Sequence, residues 1–387
     1  MKKYSILLLL IPLFLIGIKA HATEDGTLIQ DHTTTVLAKV IEVTSQEVKP
    51  VPGTDVTNNY QNLKVKILEG NENGKIVTVE NDFLSLRAGE EFYLIHTTNE
   101  LEGRDYYSVS EPYRLPSVYF FIGLFVVCVV IFGGKQGIRG LVSLGGSFAL
   151  ILCVLLPGIL QGYSPIVMSL GVAALIIVLG SYVTHGFNRT TSSAVVGMLL
   201  TVLLTGGLAY YAVTITRLSG FASEESVYLN LNTRGTLDFQ GLLLGGILIG
   251  LLGVLYDVAI GQAVSVEELH HVGPHLSRNV IFRRALRIGR EHIGALVNTL
   301  AIAYVGASLP LLLLFYSGDN TNFFTTLNRE IFATEVIRIM IGSIGLVLAV
   351  PITTVVSTLM LINSKTTANK ALIEKEEEAI SKIEHIH

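Results

Sequence analysis

Tryptophan is absent from this sequence, and cysteine occurs only twice, at Cys128 and Cys153. Because both cysteines lie in apolar runs, a disulfide framework is excluded, and we predict buried apolar packing for both thiols. Charge is also scarce, at 15% of residues against about 25% in an ordinary soluble domain. The shortage is local, since apolar runs crowd the region from Ser117 to Asn363. A polytopic α-helical membrane protein is therefore predicted.

The first residues have the pattern of a secretory signal. Lys2 and Lys3 precede an apolar stretch, and Ala20-His21-Ala22 forms an A-x-A cleavage site. A basic start, a short apolar segment and small residues predict a signal peptide over 1–22, with an uncleaved anchor as the alternative. Either interpretation places residues 23–116 on the extracytoplasmic side.

Residues 23–116 have the composition of a soluble domain. They carry eight Lys/Arg against 16 Asp/Glu, a local net charge of −8, which argues against nucleic acid as a partner. Short β-branched or aromatic runs predict five strands, and Asn73-Gly74 predicts a hairpin turn between the second and third. Five short strands favour a small β-barrel-like domain of the OB type. The predicted strands are Val36–Thr44, Leu63–Leu68, Lys75–Glu80, Phe92–His96 and Tyr106–Ser110.

Seven apolar segments fill a predicted transmembrane domain over 117–363. Each approaches the roughly 20 residues that cross a hydrocarbon core about 30 Å thick, so each is predicted to be a helix. Their positions are 117–133, 140–160, 165–184, 192–214, 239–263, 292–316 and 335–362. Lysine and arginine concentrate in alternate connections and after the last segment, which predicts a cytoplasmic tail over 364–387. The expected location is the cell membrane, with the N-terminal domain outside.

Signatures of catalysis are missing. The sequence has no P-loop, no G-x-S-x-G, no H-E-x-x-H and no dinucleotide fingerprint, so we expect neither an enzyme nor a cofactor. His271 and His275 are separated by Gly273-Pro274, which ends any helix that would align them, and a solvated loop is favoured there. No metal site is predicted, and the terminal H-x-H of His385 and His387 does not alter this.

Polar groups within the apolar segments are the candidate binding residues. In the fifth segment, small residues spaced three or four apart end at Asp257, with Gln262 following; the stripe is Gly246, Gly250, Gly253, Asp257 and Gly261. Small residues allow close helix approach, and a carboxylate at this depth should face protein or water. Asn298 of the sixth segment is expected at a similar depth, within hydrogen-bonding reach of Asp257. The alternative is a helix-end charge in a packing seam.

The seventh segment repeats this pattern with Glu335 and Arg338 at i, i+3, where an ion pair is expected. They join the candidate pathway, with a simple helix-end ion pair as the alternative, and Pro351 is expected to kink the segment. Between the fifth and sixth segments, Val280 to Arg290 is basic and amphipathic. We predict an interfacial helix that rests on anionic lipid headgroups, or alternatively a partner-binding site.

At these residues the chain resembles the YibE/F family of multi-pass bacterial membrane proteins. The resemblance rests on Gly245 to Gly253, Asp257-Val258-Ala259, Gly289-Arg290-Glu291, Val297 to Leu300, Ala303 to Gly306, Ser308 to Leu311 and Gly342 to Gly345 leading to Pro351. It implies an outer domain joined to a polytopic core, and a paired homologous membrane protein as a partner. It implies no particular substrate.

Two functions remain open after this reading. The first is a transporter or permease component for a small solute or ion, with Asp257 and Asn298 in a polar pocket on the cytoplasmic side. The second is a non-transporting scaffold or envelope sensor that acts through the outer β domain. The lipid bilayer is a partner in both cases.

Overall fold

The computed structural model describes residues 32–50, 57–82, 84–99, 104–317 and 322–362. The predicted signal peptide and the predicted cytoplasmic tail lie outside the described residues. Contacts divide the chain between Ile131 and Phe132 into two compact units. The first contains a β domain and the beginning of the helix that follows it, and the second contains the remaining helical residues.

The β domain is one antiparallel sheet of five strands. The strands are β1 (His32–Pro50), β2 (Thr57–Ile67), β3 (Ile76–Asn81), β4 (Glu91–Asn99) and β5 (Arg104–Pro112). They pair in the order β3-β2-β1-β4-β5, so the long β1 lies at the centre. The sheet curls into a half-barrel in which β3 and β5 approach each other, as in a partly open five-stranded barrel of the OB type.

Alternation of apolar residues explains the core of this domain. In β2, the side chains of Leu63, Val65 and Ile67 are buried while their neighbours are exposed, as expected for a strand with one face on a core. Phe92 of β4 is fully buried in the same cluster. The buried amide of Gln61 pairs with the backbone N–H and C=O of Leu86 at 2.9 and 3.0 Å, so both polar atoms of this side chain have hydrogen-bond partners.

All five predicted strands are found, but two details differ. β1 is much longer than Val36–Thr44 because irregularities near Glu42 and Ser45 let it bend while it stays paired. Asn73-Gly74 lies in a longer connection between β2 and β3, not in a two-residue turn. Gly70 and Gly74 both have positive φ, at 83° and 91°, which glycine tolerates without strain.

Ten α-helices follow in the described chain. They are α1 (Leu115–Leu150), α2 (Leu156–Leu160), α3 (Pro165–His185), α4 (Arg189–Ile215), α5 (Glu224–Asn232), α6 (Phe239–Val272), α7 (Arg278–Ala307), α8 (Leu309–Ser317), α9 (Phe323–Leu327) and α10 (Glu330–Leu361). A π-helical turn over Ile151–Leu155 joins α1 to α2. Pro157 explains this turn, because proline lacks an N–H and clashes with the carbonyl four residues earlier.

The first two predicted segments form one helical stretch, Leu115–Leu160. Gly134 interrupts α1 with φ of 52° and ψ of −135°, at the point where the sequence separates the two segments. The helical stretch spans 46 residues, more than twice the roughly 20 residues that cross a hydrocarbon core. Cys128 and Cys153 are both exposed, so the predicted burial of their side chains is wrong.

Five helices of the described chain are long and apolar enough to cross a membrane, or six if the bent pair α7 and α8 counts as one span. The predicted count of seven treats Leu115–Leu160 as two spans. The predicted interfacial helix at 280–290 is not separate, because α7 runs unbroken from Arg278. Ile281 and Ala285 are fully buried, so this segment packs inside the chain, while its arginines stay exposed.

The centre of the helical unit is formed by α4, α6 and α10, with α3 packed beside them. Small residues make this contact close: a Cβ on Gly345 of α10 would lie 2.7 Å from Thr205 Oγ1. A hydrogen bond of 2.9 Å between Ser193 and Ser357 also joins α4 to α10. α10 continues through Pro351 as one helix. The small stripe of the seventh segment is therefore a packing seam, as predicted.

Candidate functional site

A cavity of about 630 Å³ lies where α7 ends and α8 begins. The two helices are bent by 68° at this break. Pro310 accounts for the break, because it cannot donate the backbone hydrogen bond that would extend α7. Ala307, Ser308 and Pro310 line the cavity, together with residues of α5, α6 and α10. Its size suits a small organic molecule.

Glu335 and Arg338 bring opposite charges to this cavity. Arg338 Nη1 lies 3.4 Å from Glu335 Oε1, which confirms the predicted i, i+3 pair. Ser308 at the helix break donates its hydroxyl to Glu335 Oε2 at 3.3 Å. In the described chain, Arg338 Nε and the hydroxyl of Thr334, which also lines the cavity, are buried without hydrogen-bond partners. The cavity wall therefore holds unused donors next to a half-buried ion pair.

Asp257 and Asn298 lie elsewhere. Asp257 is eleven residues along α6 from Gly246 of the cavity wall, a rise of about 16 Å. Both side chains are exposed, and within the described chain the structure gives no hydrogen bond between them. The titratable group that interacts with Asp257 is instead the imidazole of His185 at the end of α3. The sequence analysis did not connect these two residues, because no local spacing relates α3 to α6.

Gln262 is buried and ties three helices together. Its Nε2 donates to the carbonyl oxygen of Ala285 in α7 and to Thr354 Oγ1 in α10, each at 2.8 Å. Only 4% of the residue is exposed. This geometry makes Gln262 a cross-link inside the bundle. It does not line the cavity with Glu335 and Arg338.

The small stripe of α6 is exposed along its whole length. Gly246, Gly253 and Gly261 have open space where a Cβ would point, and at Gly250 only the Tyr304 hydroxyl comes close, at 2.6 Å. The expectation that this stripe forms the closest helix contact thus differs from the structure. The stripe instead forms an open face that begins at the cavity and includes Asp257.

A second polar cluster, which the sequence analysis missed, lies in the β domain. One ligating atom from each of Glu72, His96 and Asp105 lies within 4.8 Å of the others. His96 Nε2 is 2.9 Å from Asp105 Oδ1, and its Nδ1 is 3.8 Å from Glu72 Oε2. The imidazole also stacks on the Tyr107 ring, with centroids 4.7 Å apart. Glu72 comes from the β2–β3 connection, so the cluster joins this connection to β4 and β5.

Hydrogen bonds keep both carboxylates of this cluster charged. The Lys75 ammonium, 2.5 Å from Glu72 Oε1, lowers the pKa of the Glu72 carboxyl, and the Tyr107 hydroxyl adds to the effect. His96 and then Thr98 lower the pKa of the Asp105 carboxyl in the same way. Burial raises the pKa of Tyr107, which therefore stays protonated at neutral pH.

Sequence spacing could not reveal this cluster, because His96 and Asp105 lie on different strands nine residues apart and Glu72 lies in an earlier connection. Only the antiparallel register places His96 opposite Tyr107 and Thr98 opposite Asp105. One signal was available. His96 and Thr98 occupy alternate positions of β4, and Asp105 and Tyr107 occupy alternate positions of β5. Alternate residues of a strand share one face, so each strand carries two polar groups side by side.

A family model described as "YibE/F-like protein" matches residues 121–363. This is well over half of the chain, so the chain belongs to that family, as the resemblance in the sequence indicated. No curated protein matches the chain. No solved structure matches it either.

Proposed function

We propose that this member of the YibE/F-like family is a transporter or permease component whose solute site is the cavity at the α7–α8 break. The observation that carries this proposal is the broken helix. Discontinuous spanning helices are where many transporters bind their solutes, because the interrupted backbone exposes polar groups at membrane depth. Here the break borders a cavity that also contains an ion pair.

The polar groups of the cavity support this proposal. An ion pair within a membrane-spanning region is expensive, and such pairs commonly mark solute or ion pathways. Glu335 already accepts from Ser308 and pairs with Arg338, which leaves Arg338 Nε and the Thr334 hydroxyl as unpartnered donors. The Glu225 carboxylate, which also lines the cavity, is an acceptor. A solute that carries both an acceptor oxygen and a donor group fits this wall.

The open face of α6 supplies a second element of the proposal. It extends from Gly246 at the cavity to Asp257, with open space at Gly246 and Gly253 and the Tyr304 hydroxyl against Gly250 between them. We propose that Asp257, next to His185, binds a proton or a cation on this face. The candidate residues of the pathway are then Glu335 and Arg338 at one end and Asp257 with Asn298 at the other.

Orientation follows from charge. Exposed arginines occupy the first turns of α7, at Arg283, Arg284, Arg287 and Arg290. They lie about 25–36 Å along the helix from the cavity end at Ala307. By the positive-inside tendency, we propose that this end of α7 is cytoplasmic and that its cavity end is extracytoplasmic. For the β domain, the extracytoplasmic location rests on the predicted signal peptide. Reporter fusions at Gly103 and Lys370 should then report opposite compartments, and equal signals would contradict the proposal.

Cysteine accessibility tests the cavity directly. In a background with Cys128→Ser and Cys153→Ser, Ser308→Cys should react with a membrane-impermeant maleimide added from the β-domain side. The control Ile302→Cys sits at a position that is 61% exposed on α7 but does not line the cavity. It should stay unlabelled because a thiolate does not form in hydrocarbon. Equal labelling of both positions would contradict a water-filled cavity.

Flux measurements test the function. Purified protein in proteoliposomes, alone and with a paired homologue, should move a member of a panel of labelled small solutes and cations. Glu335→Gln and Arg338→Gln should abolish this flux, whereas Glu291→Gln, at an exposed α7 position, should retain it. If no solute moves, or if all three variants behave alike, the scaffold or sensor function is favoured. The observation that supports this alternative is the polar cluster of the β domain.

A further inference from the structure

A divalent metal ion can be held by the β domain, at a site separate from the cavity. We propose that Glu72, His96 and Asp105 bind Zn²⁺ or a similar divalent transition metal. One imidazole and two carboxylates are a common ligand set for such ions. The three residues come from the β2–β3 connection, from β4 and from β5, so the ion would link parts of the sheet that are distant in sequence.

The spacing of the ligand atoms suits one ion. Zinc binds nitrogen and oxygen at about 2.0–2.2 Å, so that atoms around it lie about 3–4 Å apart. The three atoms here lie within 4.8 Å of one another, and the His96 to Asp105 distance is 2.9 Å. Glu72 is closer to Nδ1 of His96, and Asp105 contacts Nε2, so one carboxylate has to rotate toward the nitrogen of the other for the three residues to share one ion. Side-chain exposures of 17% for His96 and 40% for Asp105 leave an entry path from solvent.

The ligands are held in place by a surrounding set of contacts. The Tyr107 hydroxyl donates to Glu72 Oε2 at 2.7 Å, and the Thr98 hydroxyl donates to Asp105 Oδ1 at 2.9 Å. The His96 ring lies nearly parallel to the Tyr107 ring, at an angle of 12°. Partners of this kind orient metal ligands and contribute strongly to metal affinity. The stacking on Tyr107 fixes the orientation of the His96 ring, which a metal ligand requires and a solvated ion pair does not.

The cluster already stabilises a positive charge. The Lys75 ammonium donates to Glu72 Oε1 at 2.5 Å and to the Tyr107 hydroxyl at 2.9 Å. Lys75 thus occupies a cation position at the edge of the cluster and competes with a metal for Glu72. Its side chain is 45% exposed and flexible, so it can withdraw into solvent when the ion binds. Removing the Lys75 ammonium should therefore strengthen metal binding if the cluster is a metal site.

Zinc binding to the purified full-length protein tests the proposal. After treatment with a chelator, the protein in detergent is titrated with Zn²⁺ at neutral pH, and bound metal is counted by mass spectrometry. His96→Gln should lose one equivalent, and His275→Gln, in the loop after α6, should lose none from this site. Tyr107→Phe should weaken the site about tenfold or more, as outer contacts usually do. Excess Ca²⁺ should not displace the zinc, because calcium prefers oxygen ligands.

Lys75→Met is the decisive variant, since it removes the competing ammonium and leaves all three ligands. It should tighten zinc binding about tenfold, which corresponds to about 1.4 kcal/mol. This result can be read even if His96→Gln fails to fold. Unchanged affinity in Lys75→Met, or the same zinc stoichiometry and affinity in His96→Gln as in the unaltered protein, would overturn the metal site and leave a solvated ion-pair network.

Discussion

Replacing Gln262 by leucine is expected to destabilise the helical unit by about 1–2 kcal/mol. Hydrogen bonds between membrane helices contribute about 0.6 kcal/mol on average and up to about 1.7 kcal/mol, and Gln262 donates two. Two such bonds contribute about 1.2 kcal/mol at the average value and about 3.4 kcal/mol at most. We expect a loss in the lower part of this range, because Thr354 has another hydrogen bond when Gln262 is replaced. Thr354 keeps its own bond to the Val350 carbonyl oxygen at 2.6 Å.

Unfolding in mixed micelles, with SDS as denaturant and circular dichroism as readout, measures this change. Gln240→Leu is the matched control, since it is the same substitution in α6 at a partly exposed position, and it should lie within about 0.5 kcal/mol of the unaltered protein. A double-mutant cycle with Thr354→Val isolates one of the two bonds and should give a coupling of about 0.5–1 kcal/mol.

Two results would refute this reasoning. Equal stability of Gln262→Leu and Gln240→Leu would mean that the bonds to Ala285 and Thr354 contribute nothing. Full stability combined with loss of flux would return Gln262 to the solute pathway, where the sequence analysis had placed it. Loss of stability with flux in proportion to the folded fraction is the outcome that we expect.

Three further predictions concern other parts of the chain. Phe92→Ala should destabilise the β domain by about 3–5 kcal/mol, because the ring is fully buried; thermal unfolding measures this, and a shift as small as that of an exposed substitution would contradict it. Gly345→Val should lower the amount of folded protein in the membrane, since its Cβ would lie 2.7 Å from Thr205 Oγ1, and wild-type abundance on immunoblots would show that the seam can open. Asp257→Asn should insert and accumulate normally but abolish flux, because it keeps the volume of the side chain and removes its charge; full flux would exclude the pathway role of this carboxylate.

The strands and most of the apolar spans could be predicted because their signals are local. Alternation in β2 places Leu63 and Val65 on one face whatever the rest of the chain does. The starts of α1 and α3 are marked by Pro116 and Pro165, because proline is favoured in the first turn of a helix. Each of these features depends on a few neighbouring residues, so a single sequence contains enough information.

The partners of each helix face could not be predicted from the same signals. In α6, apolar residues surround the helix, so spacing identifies the stripe from Gly246 to Gly261 but not what covers it. The sequence analysis assigned the stripe to a helix contact, and the structure leaves it open. The break at Ser308 was also missed, although Pro310 was in view, because the apolar run continues through it to Tyr316.

The polar cluster of the β domain shows more clearly what a single sequence does not reveal. Glu72, His96 and Asp105 look like ordinary surface residues when each is read in its own segment, and a barrel prediction gives no strand register. Register decides which side chains of β4 and β5 face each other, since a shift of one residue moves every side chain to the other face. A metal site was not expected for this reason, and the proposal of one rests on three-dimensional spacing.

The two faces of α6 explain why Gln262 and Asp257 differ in role although they are one and a half turns apart. At about 100° per residue, the five residues from Asp257 to Gln262 turn the side-chain direction by about 140°. Asp257 therefore lies on the open face, while Gln262 points into the bundle. Eleven residues separate Gly246 from Asp257 and return the helix to within about 20° of the same direction. A solute or ion that leaves the cavity at Gly246 would therefore meet Asp257 on the same face. Tyr304, whose hydroxyl lies against Gly250 between them, is the side chain that such a path would have to displace.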